Sequence, residues 1–210
     1  QPDAMRGGLI NFTADSDTVG RHHSLYRNRN GWRFSSLAAR MMEDLGRPLP
    51  AQEKVLLNWR RGWQHVSYAD IYLDSLRQKP LRPRGEFKDK IVLVGTSAPG
   101  LLDLRLTPLE STYPGVEILA TAIDNLDRGD WLREIERPSM IPLALALIAA
   151  IAIGLARNVS ANLLGYALLA LTIVVAAAAW FALTNGIFMP VFAPLAFGWA
   201  FYLTASGVAP

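Results

Sequence analysis

Residues 138–156 read PSMIPLALALIAAIAIGLA, a run without a charged side chain that ends at Arg157. A helix needs about 20 apolar residues to cross a hydrocarbon core about 30 Å thick. Two similar segments follow at about 163–183 and 187–207, each separated from its neighbour by a short polar turn. The sequence therefore predicts three transmembrane helices within 138–210.

Almost all charges of the chain lie before this run. All 18 acidic residues lie at or before Glu136, and of the 21 basic residues only Arg157 lies after Arg137. The two signs are interspersed, whereas a nucleic-acid interface requires clustered Lys and Arg. We therefore expect a soluble domain over 1–137, a membrane segment over 138–210 and no nucleic acid among the partners.

The charges at the ends of the spans leave their orientation open. Three crossings put the soluble part and the C-terminal end on opposite sides of the membrane. The last three arginines before the first span outnumber the single Arg157 after it, which favours a soluble part on the inside. The positive-inside rule is weak beside long domains, however. Interfacial aromatic residues are expected near the span ends, at Trp131, Trp180, Trp199 and Tyr202.

The first 137 residues alternate between strand and helix patterns. Apolar periodicity predicts strands at 9–12, 54–59 and 91–95 and helices at about 37–45, 67–78 and 116–128. Ser35 or Ser36 is the expected cap of the first helix, after a polar turn at 26–31. Ile71, Leu73 and Leu76 are expected to point inward from the second helix. This alternation favours an α/β domain with a partly parallel sheet.

The strongest strand pattern is Ile91-Val92-Leu93-Val94-Gly95, whose branched apolar residues predict burial on both faces, as in a parallel sheet. Ligands of open α/β sheets bind at the carboxyl ends of strands. The loop that follows offers hydroxyl groups at Thr96 and Ser97 and a carboxylate at Asp103. These three residues are candidates for ligand binding, and the alternative is a capped turn that binds nothing.

Motifs for catalysis and metal binding do not fit the chain. A nucleophile elbow, G-x-S-x-G, fails at Pro99, and a P-loop fails because Leu101 follows Gly100. There is no cysteine, and the adjacent His22 and His23 would point to opposite faces of a strand. We expect no enzyme activity, no cofactor and no metal site. Spans without intramembrane Asp, Glu, Lys or His also argue against a transporter.

The run KIVLVGTSAPGLLD at 90–103, continued by TPL at 107–109 and YPGVEI at 113–118, resembles the CHASE2 family of sensory domains. So does AIDNL at 122–126, which precedes Gly129. The resemblance covers about residues 7–137 and extends to the three-helix membrane segment that commonly follows. Glu117, within the motif run, is the fourth candidate ligand residue. Leu119 departs from the family pattern, which often has His at that position.

The resemblance implies a bacterial signalling receptor. Residues 1–137 would be the C-terminal part of its extracytoplasmic, periplasmic sensor, with a sheet incomplete at the N-terminus. Residues 138–210 would anchor it as a multi-pass protein of the cytoplasmic (inner) membrane. A further N-terminal transmembrane helix would precede this fragment, and a cytoplasmic output domain would follow it: an adenylate or guanylate cyclase, a histidine kinase or a Ser/Thr kinase.

The expected partners are the lipid bilayer, an unknown small-molecule or protein stimulus, and a second copy in a homodimer. The alternative function is a structural, dimerising membrane anchor that senses no ligand.

Overall fold

The computed structural model of the chain describes residues 7–96 and 103–208. The chain divides into two compact units, Gln1–Asp130 and Trp131–Pro210. Across the described residues it has six α-helices and eight short strands. The predicted mixed α/β class is therefore confirmed in its coarse form.

Each unit has its own set of elements. The first unit contains β1 (His22–Ser24), β2 (Tyr26–Arg29), β3 (Trp32–Ser35), α1 (Leu37–Asp44), β4 (Lys54–Leu56), α2 (Tyr68–Ser75), β5 (Leu104–Arg105), β6 (Tyr113–Pro114) and α3 (Gly115–Arg128). The second unit contains β7 (Arg133–Glu134), a 3₁₀ turn (Arg137–Met140), α4 (Ile141–Ala156), α5 (Ala161–Thr184), β8 (Ile187–Phe188) and α6 (Phe192–Val208).

The strands form four separate two-stranded sheets. In the first unit β1 pairs with β4, β2 with β3 and β5 with β6, all antiparallel. A parallel pair joins β7 to β8 in the second unit. Leu9, in the first predicted strand, makes only an isolated parallel bridge to Ser36. The partly parallel sheet predicted for the soluble part is thus not present among its described residues.

The strand predicted over 91–95 is also wrong. These residues form no strand, and Val94 is 78% exposed. A run of branched apolar residues becomes a strand only beside a chain that pairs with its backbone amides and carbonyls. Within 7–96 and 103–208 no segment makes backbone hydrogen bonds to residues 91–95.

The segment predicted as a polar turn at 26–31 is part of the hairpin β2–β3. Asn30 and Gly31 form its two-residue turn with φ of 52° and 79°, the left-handed pair that a type I′ turn requires. Ser36 follows β3 and caps α1, and its hydroxyl oxygen accepts a hydrogen bond from the Ala39 N–H at 3.2 Å. Of the two expected caps, Ser36 is therefore the one in use.

Helix α3 lies in the core of the first unit and packs against α1. It confirms the helix predicted at 116–128. The buried apolar residues of this unit are Leu25, Ala38, Ala39, Met42, Val55, Leu56, Leu57, Tyr113, Ile118, Ala122, Ile123 and Leu126. Thr121 and Asn125 bury polar side chains on the same face of α3.

Helix α2 begins after Ser67, as predicted, but its apolar face is not buried as predicted. Leu73 is exposed, and Leu76, just after the helix, is 66% exposed. The helix ends after eight residues at Ser75. It therefore contributes no apolar residue to the buried core of the described first unit.

Two helical segments of the second unit, Arg137–Ala156 and Ala161–Thr184, are long and apolar enough to cross a membrane by length and composition. Of the three predicted spans, only these two meet that criterion among the described residues, because helix α6 has 17 residues. It begins at Phe192 and not at the predicted 187, because Ile187 and Phe188 pair with β7 instead.

The three helices of the second unit enclose a small core of Leu147, Ile151, Leu168 and Leu195. The Trp199 indole N–H donates to Thr172 Oγ1 at 3.0 Å, and the Tyr202 hydroxyl donates to the Ala161 carbonyl at 3.0 Å. Both aromatic residues thus make hydrogen bonds between helices of the bundle. Trp180, by contrast, is exposed.

Candidate functional site

A cleft of about 380 Å³ lies against α3 in the first unit. Residues 63–66 form one wall, and Ile91, Leu93 and Gly95 form a second. The third wall is the face of α3 that carries Val116, Glu117, Ala120, Ile123, Asp124 and Asp127. A groove of about 720 Å³ shares the first two walls and reaches Tyr68 and Ile71 of α2. The cleft is therefore mixed along 63–66, apolar along Ile91, Leu93 and Gly95, and carboxylate-bearing along the helix.

Two glycines let the chain approach the first turn of α3. A Cβ on Gly95 would lie 2.6 Å from Cγ2 of Val116, a separation that the packing cannot accommodate. The Gly115 N–H donates to the Asp103 carbonyl at 2.8 Å, and the Asp103 carboxylate lies against the space that a Gly115 side chain would need. Both ends of the predicted ligand loop, Gly95 and Asp103, therefore lie at the start of α3.

Each carboxylate of the cleft has a basic partner. Glu117 Oε1 lies 3.4 Å from Nε2 of His65. Asp124 lies 3.2 Å from Nε of Arg60 and 2.7 Å from Nε of Arg128. Asp127 Oδ1 lies 3.1 Å from Nε of Arg47. Asp124 and Asp127 are thus paired with arginine and Glu117 with His65, and an entering polar ligand would have to match or replace these contacts.

Tyr113 lies buried beneath Glu117. Burial, together with the neighbouring Glu117 carboxylate, raises the pKa of the Tyr113 phenol to about 12. Its hydroxyl donates to the Arg60 carbonyl at 3.3 Å, and its ring meets the Trp59 ring edge-on at 5.6 Å. The phenol therefore stays protonated at neutral pH. Its hydrogen bond holds the backbone at Arg60, just before the cleft wall of residues 63–66.

The four predicted ligand residues have different positions. Glu117 lies in the cleft on the first turn of α3, largely shielded from solvent. Asp103 lies at the N-terminal end of α3, half-exposed and 3.5 Å from Arg105. Thr96 is exposed and follows the cleft residue Gly95. Ser97 lies outside the described residues.

Sequence reasoning missed the wall formed by residues 63–66. No sequence motif singles out His65, although it faces Glu117 across the cleft. The segment WRRGWQHV at 59–66 places two Trp residues around a turn-forming Gly. That density of aromatic residues in a loop was the available signal for a ligand-lining segment.

The arrangement suits binding more than catalysis. Within residues 7–96 and 103–208, no group of three or more His, Asp or Glu side chains is placed to hold a metal ion. The carboxylates of the cleft pair with arginine or histidine, and Glu117 also lies within reach of the Tyr113 hydroxyl. A cleft that combines apolar side chains with fixed polar groups is a common form of a small-ligand site.

The comparisons with known proteins give one family. A model of the CHASE2 domain matches residues 2–156, well over half of the chain. Searches of the curated proteins and of the solved structures found no match to this chain. The matched region contains every wall of the cleft and continues through α4 to Ala156. CHASE2 domains are extracellular sensory domains of signalling receptors and are not catalytic, and this chain belongs to the CHASE2 family.

Proposed function

We propose that this chain is the extracytoplasmic sensory input and membrane anchor of a signal-transducing receptor, which acts as a homodimer in the cytoplasmic membrane. A stimulus received by the first unit passes through three transmembrane helices to a cytoplasmic output domain, a nucleotide cyclase or a protein kinase. The stimulus is a small molecule or a protein that binds at Glu117 and at the neighbouring loop residues Thr96, Ser97 and Asp103.

One observation carries this proposal: the CHASE2 match runs without a break from the cleft-bearing unit into the apolar helix α4. Only 12 residues separate the end of α3 at Arg128 from the start of α4 at Ile141. A domain that includes both its ligand cleft and its first membrane helix is suited to convert ligand binding into helix movement.

Three spans are proposed because α6 resembles the two longer helices in composition. Its 17 residues carry no charge and extend about 26 Å at 1.5 Å per residue, close to the thickness of the hydrocarbon core. It packs closely against α4. Three crossings place the turn at 157–160 in the cytoplasm and the turn at 185–186 outside.

Residues 1–210 contain no cysteine, so this topology is testable with single substitutions once any cysteine elsewhere in the receptor is replaced by serine. We expect a membrane-impermeant maleimide, added to intact spheroplasts that express the full-length receptor, to label Ser16→Cys and Thr184→Cys. Ser160→Cys and Ser206→Cys should react only after the membrane is permeabilised. All four positions carry small hydroxyl side chains, so each substitution changes little else.

Each alternative topology gives its own pattern. Labelling of Ser206→Cys in intact spheroplasts would show that α6 does not cross and that two spans are present. If Ser160→Cys were labelled and Ser16→Cys protected, the receptor would have the inverted orientation, which contradicts an extracytoplasmic sensor.

Sensing at the cleft is tested by Glu117→Gln, which removes the charge of Glu117 and keeps its shape. In the full-length receptor, with the product of its output domain measured in cells across several growth media, we expect output to shift by about fivefold, the low end for coupled sites. Glu110→Gln is the matched control, because Glu110 is exposed and lies outside the cleft. Wild-type output from both variants in every medium would favour the structural anchor instead.

A further inference from the structure

The segment that leads into the membrane helices is hydrogen-bonded to a distant turn. Residues 131–137, here called the connector, follow directly on the first unit. The connector's Arg133 N–H donates to the Gly186 carbonyl at 2.8 Å, and its Ile135 N–H donates to the Phe188 carbonyl at 3.0 Å. These bonds belong to the parallel pair of β7 and β8, in which Arg133 faces Ile187 and Glu134 faces Phe188. The connector is thus joined to the turn between α5 and α6.

Both strands of this pair lead into helices. β7 continues through the 3₁₀ turn into α4, and β8 continues through residues 189–191 into α6. Because the strands are parallel, their chains leave the pair in the same direction. Gly186, with φ of 77°, lets the chain leave α5 and enter β8. The pair therefore joins the entrances of α4 and α6.

The two helices remain close beyond the strand pair. Leu147 and Ile151 of α4 and Leu195 of α6 share the buried core. A Cβ on Gly198 of α6 would lie 3.3 Å from Cδ1 of Leu147, so the absent side chain permits the close approach. Helix α5 contributes a single buried residue, Leu168. A movement of the connector consequently has a direct backbone route to α6 besides the covalent route through α4 and α5.

We propose that the β7–β8 pair is a strap that transmits movement of the connector directly to α6, so that the connector, α4 and α6 respond together to the sensory unit. This inference rests on the proposed function, since it assigns a route to the signal. Each strand of the pair has only two residues, so the pair is small enough to form in one signalling state and break in the other. A switch requires an element that has two such arrangements, one formed and one broken.

The test removes one hydrogen bond of the strap. Ile135→Pro deletes the N–H that donates a hydrogen bond to the Phe188 carbonyl. Glu136→Pro is the matched control, because Glu136 has a φ of −58° that proline adopts, and its N–H makes no backbone hydrogen bond within the described residues. In the full-length receptor in lipid nanodiscs, hydrogen–deuterium exchange should speed up about fivefold in Ile135→Pro at the Leu195 N–H of α6, which donates to the Val191 carbonyl, the effect of about one lost hydrogen bond. Glu136→Pro should leave that exchange unchanged.

Signal transmission is read from basal output in membranes. We expect Ile135→Pro to change it by about fivefold and Glu136→Pro to leave it at the wild-type level. A covalent strap provides the rescue: in the Ile135→Pro background, the pair Arg133→Cys and Ile187→Cys should restore wild-type output when oxidised and lose it again on reduction. Paired positions of neighbouring strands lie within the Cα separation that a disulfide spans.

The outcomes separate the two proposals. Unchanged exchange in α6 after Ile135→Pro would overturn the strap as a structural link. Faster exchange without a change in output, or a failed rescue by the oxidised pair, would overturn it as a signal route. A wrong labelling pattern at Ser16→Cys and Ser160→Cys would overturn the proposed function, whatever the strap does.

Discussion

Asn125 shows how one polar residue holds the core of the first unit together. It is 0% exposed, and its side-chain amide bonds both backbone groups of Asn58: Oδ1 accepts from the Asn58 N–H at 2.8 Å, and Nδ2 donates to the Asn58 carbonyl at 3.1 Å. The Asn125 side chain thus satisfies both backbone groups of Asn58, just after β4, as a neighbouring strand would. The Asn125 carbonyl also accepts from the Asp130 N–H at 3.1 Å. Asn125 therefore secures the end of the sensory unit that leads into the connector.

His23 is the buried titratable residue of the same core. Its ring is 4% exposed, and neither ring nitrogen has a hydrogen-bond partner among the described residues. Burial lowers the pKa of the imidazole from its ordinary value of 6.5 to about 4. The unfolded chain therefore binds a proton near pH 6.5, whereas the folded chain binds it only near pH 4.

A pH dependence of stability follows from that difference. Above pH 6.5 the ring is neutral in both states, and His23 adds no pH dependence. As the pH falls from 6.5 towards 4, the unfolded state binds more protons, so the free energy of unfolding should fall by up to about 3 kcal/mol. Pulse proteolysis in urea, on the full chain in detergent, measures this.

In the variant His23→Leu, the free energy of unfolding should not show this fall between pH 6.5 and 4, because leucine has no group to protonate. His65→Gln is the control, since His65 is exposed and its replacement should leave the slope in place. Equal slopes in wild type and His23→Leu would contradict the buried neutral imidazole.

At the scale of elements, the start of α1 is decided by a choice between two adjacent serines. Ser36 is buried and caps the Ala39 N–H. Ser35 makes only an exposed, long hydrogen bond of 3.4 Å to Glu43 Oε1. We expect Ser36→Ala to lower the free energy of unfolding by about 1 kcal/mol, as loss of an N-cap does. Ser35→Ala should change it by less than about 0.5 kcal/mol.

The same urea proteolysis measures both serine variants. Equal losses would mean that α1 uses neither serine preferentially as its cap. The element matters for the site, because α1 packs on α3, which carries Glu117.

On the scale of the whole molecule, the boundary seen in the charges and the boundary seen in the structure differ by seven residues. The charges end at Arg137, with Arg157 as the exception, whereas the compact units divide between Asp130 and Trp131. The connector is charged like the soluble part, yet its backbone hydrogen bonds belong to the helix unit. It is the segment of the chain that joins the first unit to the helices of the second.

Features that depend on neighbouring residues were predictable from the sequence. Helix α3, the start of α2 and the apolar length of α4 and α5 all follow from contacts three or four positions apart, whereas the sequence left the α1 cap open between Ser35 and Ser36. The Asn30-Gly31 hairpin was equally local and could have been predicted from its dipeptide. The CHASE2 motifs were also readable along the chain. The contacts that require glycine at 95 and 115, with the side chains of Val116 and Asp103, depend on the fold.

Only the tertiary structure decided which distant segments meet. His65 faces Glu117, Asn125 bonds Asn58, Trp199 bonds Thr172 inside the bundle, and the connector pairs with β8. The exposure of 91–95 and of Leu73 was decided in the same way, by which elements pack there and not by residue type. The physical reason is that an apolar or polar pattern shows that a side chain needs a partner, whereas the path of the whole chain determines which partner it reaches.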